Sequence, residues 1–92
     1  MPHTIKEKEK LLLRVRRIKG QIEAVERAVG EEQDCSDVLH LITAARGAMN
    51  GLMAELVEDH IRYHVLDPKH KAGSEQAVAA EELVEIVKSY LK

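Results

Sequence analysis

"LLLRVRRIKGQIEAVERAVG", residues 11–30, decides the fold class. Leu11, Val15, Ile18, Ile22, Val25 and Val29 recur at spacings of four, three, four, three and four. That is the period of an α-helix packing along one stripe. Gly30 and the polar "EEQD" (31–34) end the pattern as a turn. A second helical pattern follows from about Cys35 to Val65, with Leu39, Ile42, Met49, Met53 and Leu56 on one stripe. "DPKHKAGS" (67–74) stops it, because Pro68 and Gly73 both oppose helix continuation. Ser74 then reads as the N-cap of a third helix, with Ala77 at the third position in place of a capping-box Glu. Val84, Val87 and Leu91 give that helix its apolar face. No strand pattern competes. The expected fold is all-α: a long antiparallel helix hairpin and a short C-terminal helix, forming a single helical domain over residues 1–92.

Composition agrees with packed helices. The 92 residues include no Trp, no Phe and two Tyr, while aliphatic residues are plentiful. A chain this small buries a modest fraction of its surface, so self-association is a common route to stability. No apolar run approaches the roughly 20 residues that span a bilayer, and no signal peptide opens the sequence. A single cysteine forms no intrachain disulfide. The expected setting is therefore cytoplasmic, with no membrane partner.

The net charge of −2 conceals a division. Residues 1–30 hold eight Lys/Arg against four Glu, whereas residues 31–92 hold six against twelve acids. "KLLLRVRRIKG" (10–20) has five cations and no acid. At 100° per residue, Lys10, Arg14 and Arg17 fall to one side of the apolar stripe and can face solvent while it packs. In an antiparallel hairpin turning near residue 32, facing positions sum to about 64. Arg14 then lies near position 50, and Arg17 near 47 beside Arg46. A cationic ridge of this kind suits the phosphates of double-stranded DNA. Without interleaved aromatic residues it does not suit single strands. The plainer reading is a solvated face with i,i+4 pairs, such as Arg16 or Lys19 with Glu23.

"EDHIRYH" (58–64) places His60 and His64 four residues apart, on one helix face. Cys35 lies 25 residues before His60. At 1.5 Å per residue that is about 37 Å of helix, too far for one chain to close a site, yet close to seven whole turns and so nearly the same face. If the second helix pairs antiparallel with its copy, Cys35 of one protomer meets the partner's His60 and His64. The small residues Gly47, Ala48 and Gly51 would sit at the crossing. The hairpin register brings His3 beside the same histidines. Cys35, His60, His64 and His3 form a mixed thiolate–imidazole donor set suited to late first-row metals, favouring nickel or cobalt, with zinc or copper as alternatives. Removal of Met1 would expose Pro2 as a secondary amine beside the partner's Cys35. That amine and the thiolate can together capture an aldehyde carbon as an N–CH2–S bridge. Taken singly, Cys35 reads as a small hydrophobe, the histidine pair as a solvated face and Pro2 as a frayed end.

"RVRRIKGQIEAVERA" (14–28), "CSDVLHLITAARGAMNGLMAELVEDHI" (35–61) and "SYLK" (89–92) together resemble the CsoR/RcnR/FrmR family of bacterial repressors across nearly the whole chain. The resemblance implies dimers of antiparallel hairpins forming a four-helix bundle and then tetramers. It also implies operator binding without a helix-turn-helix, and an inducer that lowers DNA affinity and releases efflux or detoxification genes. Its nickel/cobalt-responsive members use a His–Cys–His–His set, which His3, Cys35, His60 and His64 match. Its formaldehyde-responsive members begin Met-Pro, matching Pro2 and Cys35, but often carry Pro at position 5 and an acid at position 64, where this chain has Ile5 and His64. Copper-responsive members have a second Cys at position 64. The expected DNA contacts are Lys10, Arg14, Arg16, Arg17, Lys19 and Arg46. An enzyme is not expected, because no oxyanion device or substrate pocket can be read. A metal buffer without DNA binding would have no need of the basic ridge.

Overall fold

A computed structural model describes residues 5–91. Three α-helices account for most of them: α1 (Ile5–Gly30), α2 (Cys35–His60) and α3 (Glu75–Tyr90). A single π-helical turn, Ile61–Val65, continues α2. No strand occurs among the described residues. The all-α expectation holds, with the second helical run ending at Val65 as its stripe implied.

The chain divides into two compact units, Met1–Leu52 and Met53–Lys92. In the first, α1 and the N-terminal part of α2 run antiparallel. Ile22 and Val25 share a recess with Ile42, Ala45 and Met49, and Arg14 and Arg17 share another with Ala48. Ala48 beside both Arg14 and Arg17 agrees with the expected register, in which those arginines face positions near 50 and 47. Ile18, Ala28, Ala45 and Leu52 are buried. Ile22 and Val29 of the α1 stripe, and Leu39, Ile42 and Met49 of the α2 stripe, are exposed in the single chain. Val15 and Met53 are exposed as well, so most of the apolar pattern is left for another surface.

The turn between α1 and α2 differs in detail from expectation. Gly30 is still helical, and the left-handed residue is Glu32 (φ 56°). The Gln33 N–H donates to Ala28 O at 3.0 Å, and the Glu32 N–H to Val29 O at 3.1 Å. This pair of bonds is a Schellman closure with Glu32 at the position where glycine is usual. The backbone hydrogen bonds, rather than residue type, choose the left-handed residue here.

In the second unit, Ile61, Leu66 and Val84 form the buried core, with Val84 only 1% exposed. The Leu66 N–H donates to Ile61 O at 2.9 Å, closing the wider π-turn, and the backbone then becomes extended (ψ 135°). Asp67 Oδ1 accepts the Lys69 N–H at 2.8 Å, an Asx turn around Pro68. Gly73 has φ 80°, which the turn closed by the Ser74 N–H to Lys71 O requires. Ser74 caps α3 as expected, its Oγ accepting the Ala77 N–H at 3.2 Å. Among the described residues no helix is long and apolar enough to cross a membrane.

Candidate functional site

The cationic residues come first along the chain. Lys10, Arg14, Arg16, Arg17 and Lys19 are all exposed on α1, and Arg46 is exposed on α2. Arg14 and Arg17 line one recess with Ile18 and Ala48. Arg46 lines the recess formed with Ile22, Val25, Ile42 and Met49. The structure thus brings Arg14 and Arg17 together and sets Arg46 against the apolar side chains of the hairpin.

Gly51 carries a second role that spacing alone did not reveal. A Cβ placed there would lie 2.9 Å from Arg14 Nη2. The bare α2 backbone at this point is what allows the guanidinium to lie against it. Gly47, by contrast, faces open space within the chain. The sequence reading gave both glycines to a contact between copies. Within one protomer, Gly51 already seats an arginine.

Cys35 is exposed and is the first residue of α2, while His60 is its last. His64 follows on the π-turn, and both histidines are exposed. Their ring centroids lie 5.3 Å apart, with planes tilted by 31°. Two imidazoles sharing a metal at about 2.1 Å have centroids roughly 4.5–5.2 Å apart for ligand angles between a right angle and tetrahedral. The pair's separation lies just above that range, so the two rings stand on one face, side by side. Its chemistry, imidazole nitrogen with thiolate available elsewhere in the chain, fits late transition metals. Among the described residues of one chain, no group of three or more His, Cys, Asp or Glu converges as a metal site. His3 and Pro2 lie outside the described residues.

Between the two histidines stands a feature the sequence reading missed. Arg62 on the π-turn directs its fork at Glu81 of α3, Nη1 donating to Oε1 and Nη2 to Oε2. Arg62 Nη2 also donates to Glu58 Oε1 at 3.2 Å, and Lys88 Nζ reaches the same oxygen at 3.3 Å. The hydrogen bond to Glu81, then that to Glu58, raises the Arg62 pKa. The hydrogen bond from Arg62 holds the Glu81 carboxyl below its ordinary value. The Glu58–Arg62 arm has the i,i+4 spacing of a helix pair, but no periodic signal marks the Arg62–Glu81 arm, whose partners are 19 residues apart. His40 and His70 are exposed, and His70 Nδ1 lies 2.8 Å from Asp67 O, a local turn contact.

Comparison with known proteins completes the picture. Residues 7–89 match the family model described as metal-sensitive transcriptional repressor. An uncharacterised Serratia marcescens protein encoded in the region 5′ of bioA is 47% identical over 92 residues, covering all of both chains. The transcriptional repressor RcnR of Salmonella paratyphi B is 36% identical, again over the full length of both. Among solved structures, the formaldehyde-responsive regulator FrmR of Salmonella enterica serovar Typhimurium, in a variant with one Glu replaced by His, aligns with a TM-score of 0.69. It is 39% identical over 97% of this chain and 99% of that one. Such repressors are not enzymes, and their work implies DNA binding and self-association. The chain belongs to the metal-sensitive transcriptional repressor family.

Proposed function

We propose that this protein is a DNA-binding repressor released from its operator by Ni(II) or Co(II). The metal would be held between subunits by Cys35 of one protomer with the partner's His60 and His64, and by His3 as a further donor. The observation that carries the reading is the His60–His64 pair, whose rings stand side by side on one face with centroids 5.3 Å apart. It occurs in a chain whose family is metal-sensitive. The whole chain, residues 1–92, then works as one DNA-binding and inducer-sensing domain, assembled as antiparallel hairpin dimers and tetramers. Zinc, which favours four tetrahedral ligands, is the poorer candidate for a crowded nitrogen-rich set, and Cu(I) is the poorer one where His64 replaces the second Cys of copper-responsive members.

The chain's own residues divide the work. Lys10, Arg14, Arg16, Arg17, Lys19 and Arg46 contact the operator, chiefly through phosphates, which fixes position and makes binding depend on salt. The metal, when bound, supplies a bridge between ligands on different segments. His3 precedes α1, so ligation ties the start of the helix carrying the cations to the Cys35/His60/His64 end. An inducer acts only through a difference in affinity between two conformations. Here that difference is the placement of α1, and with it the spacing of the arginines against phosphates. Efflux or detoxification genes are the fitting targets for such a switch.

A second reading has its own support, the 39% identity to a formaldehyde-responsive regulator. In it, the Pro2 amine and the partner's Cys35 thiol condense with formaldehyde to an N–CH2–S bridge with loss of water. One experiment separates the readings: operator-bound protein titrated in parallel with Ni(II), Co(II), Zn(II), Cu(I) and formaldehyde. Release by Ni(II) or Co(II), lost on changing His64 to Ala, supports the metal reading. Release by formaldehyde alone, insensitive to His64 but lost without Pro2, replaces it.

A further inference from the structure

We propose that Arg62 is a positioning residue for the inducer site, fixing the His60–His64 pair by clamping the π-turn to α3 through Glu81. The inference rests on the reading that these histidines hold the inducer, and it adds that α3, which contributes no ligand, helps set the affinity.

A π-turn is an unusual ending for a helix, and its wider ring lacks the regular i→i−4 restraint. His60 stands immediately before this turn and His64 within it. Both side chains are exposed, so packing does not hold the rings in place. Something else must keep the turn in register. Ile61 and Leu66 anchor its two ends in the core, at 5% and 9% exposure, leaving the face between them to polar contacts.

Arg62 supplies those contacts from the position between the histidines. Its two Nη atoms reach the two oxygens of Glu81, a forked geometry that fixes orientation as well as distance. Nη2 also reaches Glu58, one turn earlier on α2. Lys88, lower on α3, takes the same Glu58 oxygen. Glu58 and Arg62 therefore bracket His60, and each is tied to α3. Two cations and two carboxylates alternate, so no charge in the network stands uncompensated. An isolated surface pair would do little. A forked arginine within a four-residue network, joining three elements, can hold a turn in one conformation.

Outer residues that hold metal ligands in place typically govern affinity by about 10–100-fold when removed. Arg62 acts through the backbone of the turn rather than by touching a ring, so the lower end, about tenfold, is expected.

The test is titration of the full-length chain with Co(II), reading both affinity and the ligand-field absorption, in Arg62→Ala, Arg62→Lys and Glu81→Gln. Arg62→Lys keeps the charge and stem but loses the fork, and serves should the alanine variant fold poorly. The expected result is Co(II) binding weakened about tenfold in Arg62→Ala and Glu81→Gln, with an altered spectrum, and an intermediate loss in Arg62→Lys. Unchanged Co(II) affinity and spectrum in folded variants, with only a lower Tm, would overturn the proposal and leave the network a purely structural brace. His60→Ala and His64→Ala are run beside them. If those retain full Co(II) binding, the ligand assignment itself fails, and the positioning role falls with it.

Discussion

Gly51→Ala isolates the seat of Arg14 more cleanly than removing the arginine does. The new Cβ would lie 2.9 Å from Arg14 Nη2, at least about 0.5 Å inside ordinary van der Waals contact. The obstructing atom is the tip of a long, exposed side chain, so the guanidinium swings aside and the backbone stays where it is. Within the helix, replacing Gly by Ala contributes about 1 kcal/mol through lower backbone entropy. Stability should therefore rise, by about 0.5–1 kcal/mol after the arginine's lost contact, which is roughly 4 °C in Tm for a chain of this size. DNA affinity should move the other way. A displaced Arg14 forfeits part of a charge-assisted phosphate contact, about 1 kcal/mol or fivefold in operator affinity. Thermal unfolding by circular dichroism and operator titrations at several salt concentrations read the two effects separately. Unchanged operator affinity with a raised Tm would show that Arg14 does not depend on this seat. A lowered Tm would refute the reasoning at its root, because it would mean that Cβ meets something less yielding than a side-chain tip.

Other expectations follow from single contacts. Glu81 has a depressed pKa in the folded chain, so it stabilises the fold above the ordinary carboxylate range, and that contribution is lost as pH falls through its folded pKa. Glu81→Gln should therefore flatten the acid limb of a Tm-against-pH curve and leave it unchanged near neutrality apart from a constant offset. An acid limb of unaltered slope would remove Glu81 from the account. Ser74→Ala removes the Oγ that accepts the Ala77 N–H and should destabilise by about 1 kcal/mol in denaturant unfolding. Glu32→Gly relieves a left-handed non-glycine residue at the Schellman closure and should raise stability by about 0.5–1 kcal/mol, where Glu32→Ala should not.

The helices were legible because their signals are periodic. The α1 stripe, the α2 run to Val65 and the Ser74 cap each follow from spacing or residue type, and the hairpin register holds to within about one turn. Less legible were features set by three-dimensional closure. Glu32 takes the left-handed position because the 6→1 bond from Gln33 to Ala28 falls there, though Gly30 is the residue suited to it. The π-turn has no residue-type signature. The Arg62–Glu81 fork joins residues whose separation carries no helical period. In the candidate site, the His60–His64 pair was readable from i,i+4 spacing. The bearing of Gly51 on Arg14 was not, since a glycine in sequence does not say which neighbour needs the room.

The central claim is that sensing occurs between chains, and subunit mixing tests it most directly. One variant, Cys35→Ala, keeps its histidines; the other, His60→Ala with His64→Ala, keeps its thiol. Each alone should remain on the operator when Ni(II) or Co(II) is added. Unfolded together and refolded, roughly half of the dimers are mixed, and in an antiparallel two-fold pair each of these holds one complete site. The account predicts that the mixture regains metal binding, at about one quarter of the native site number, together with partial release of DNA. A mixture as silent as its two parents would contradict it.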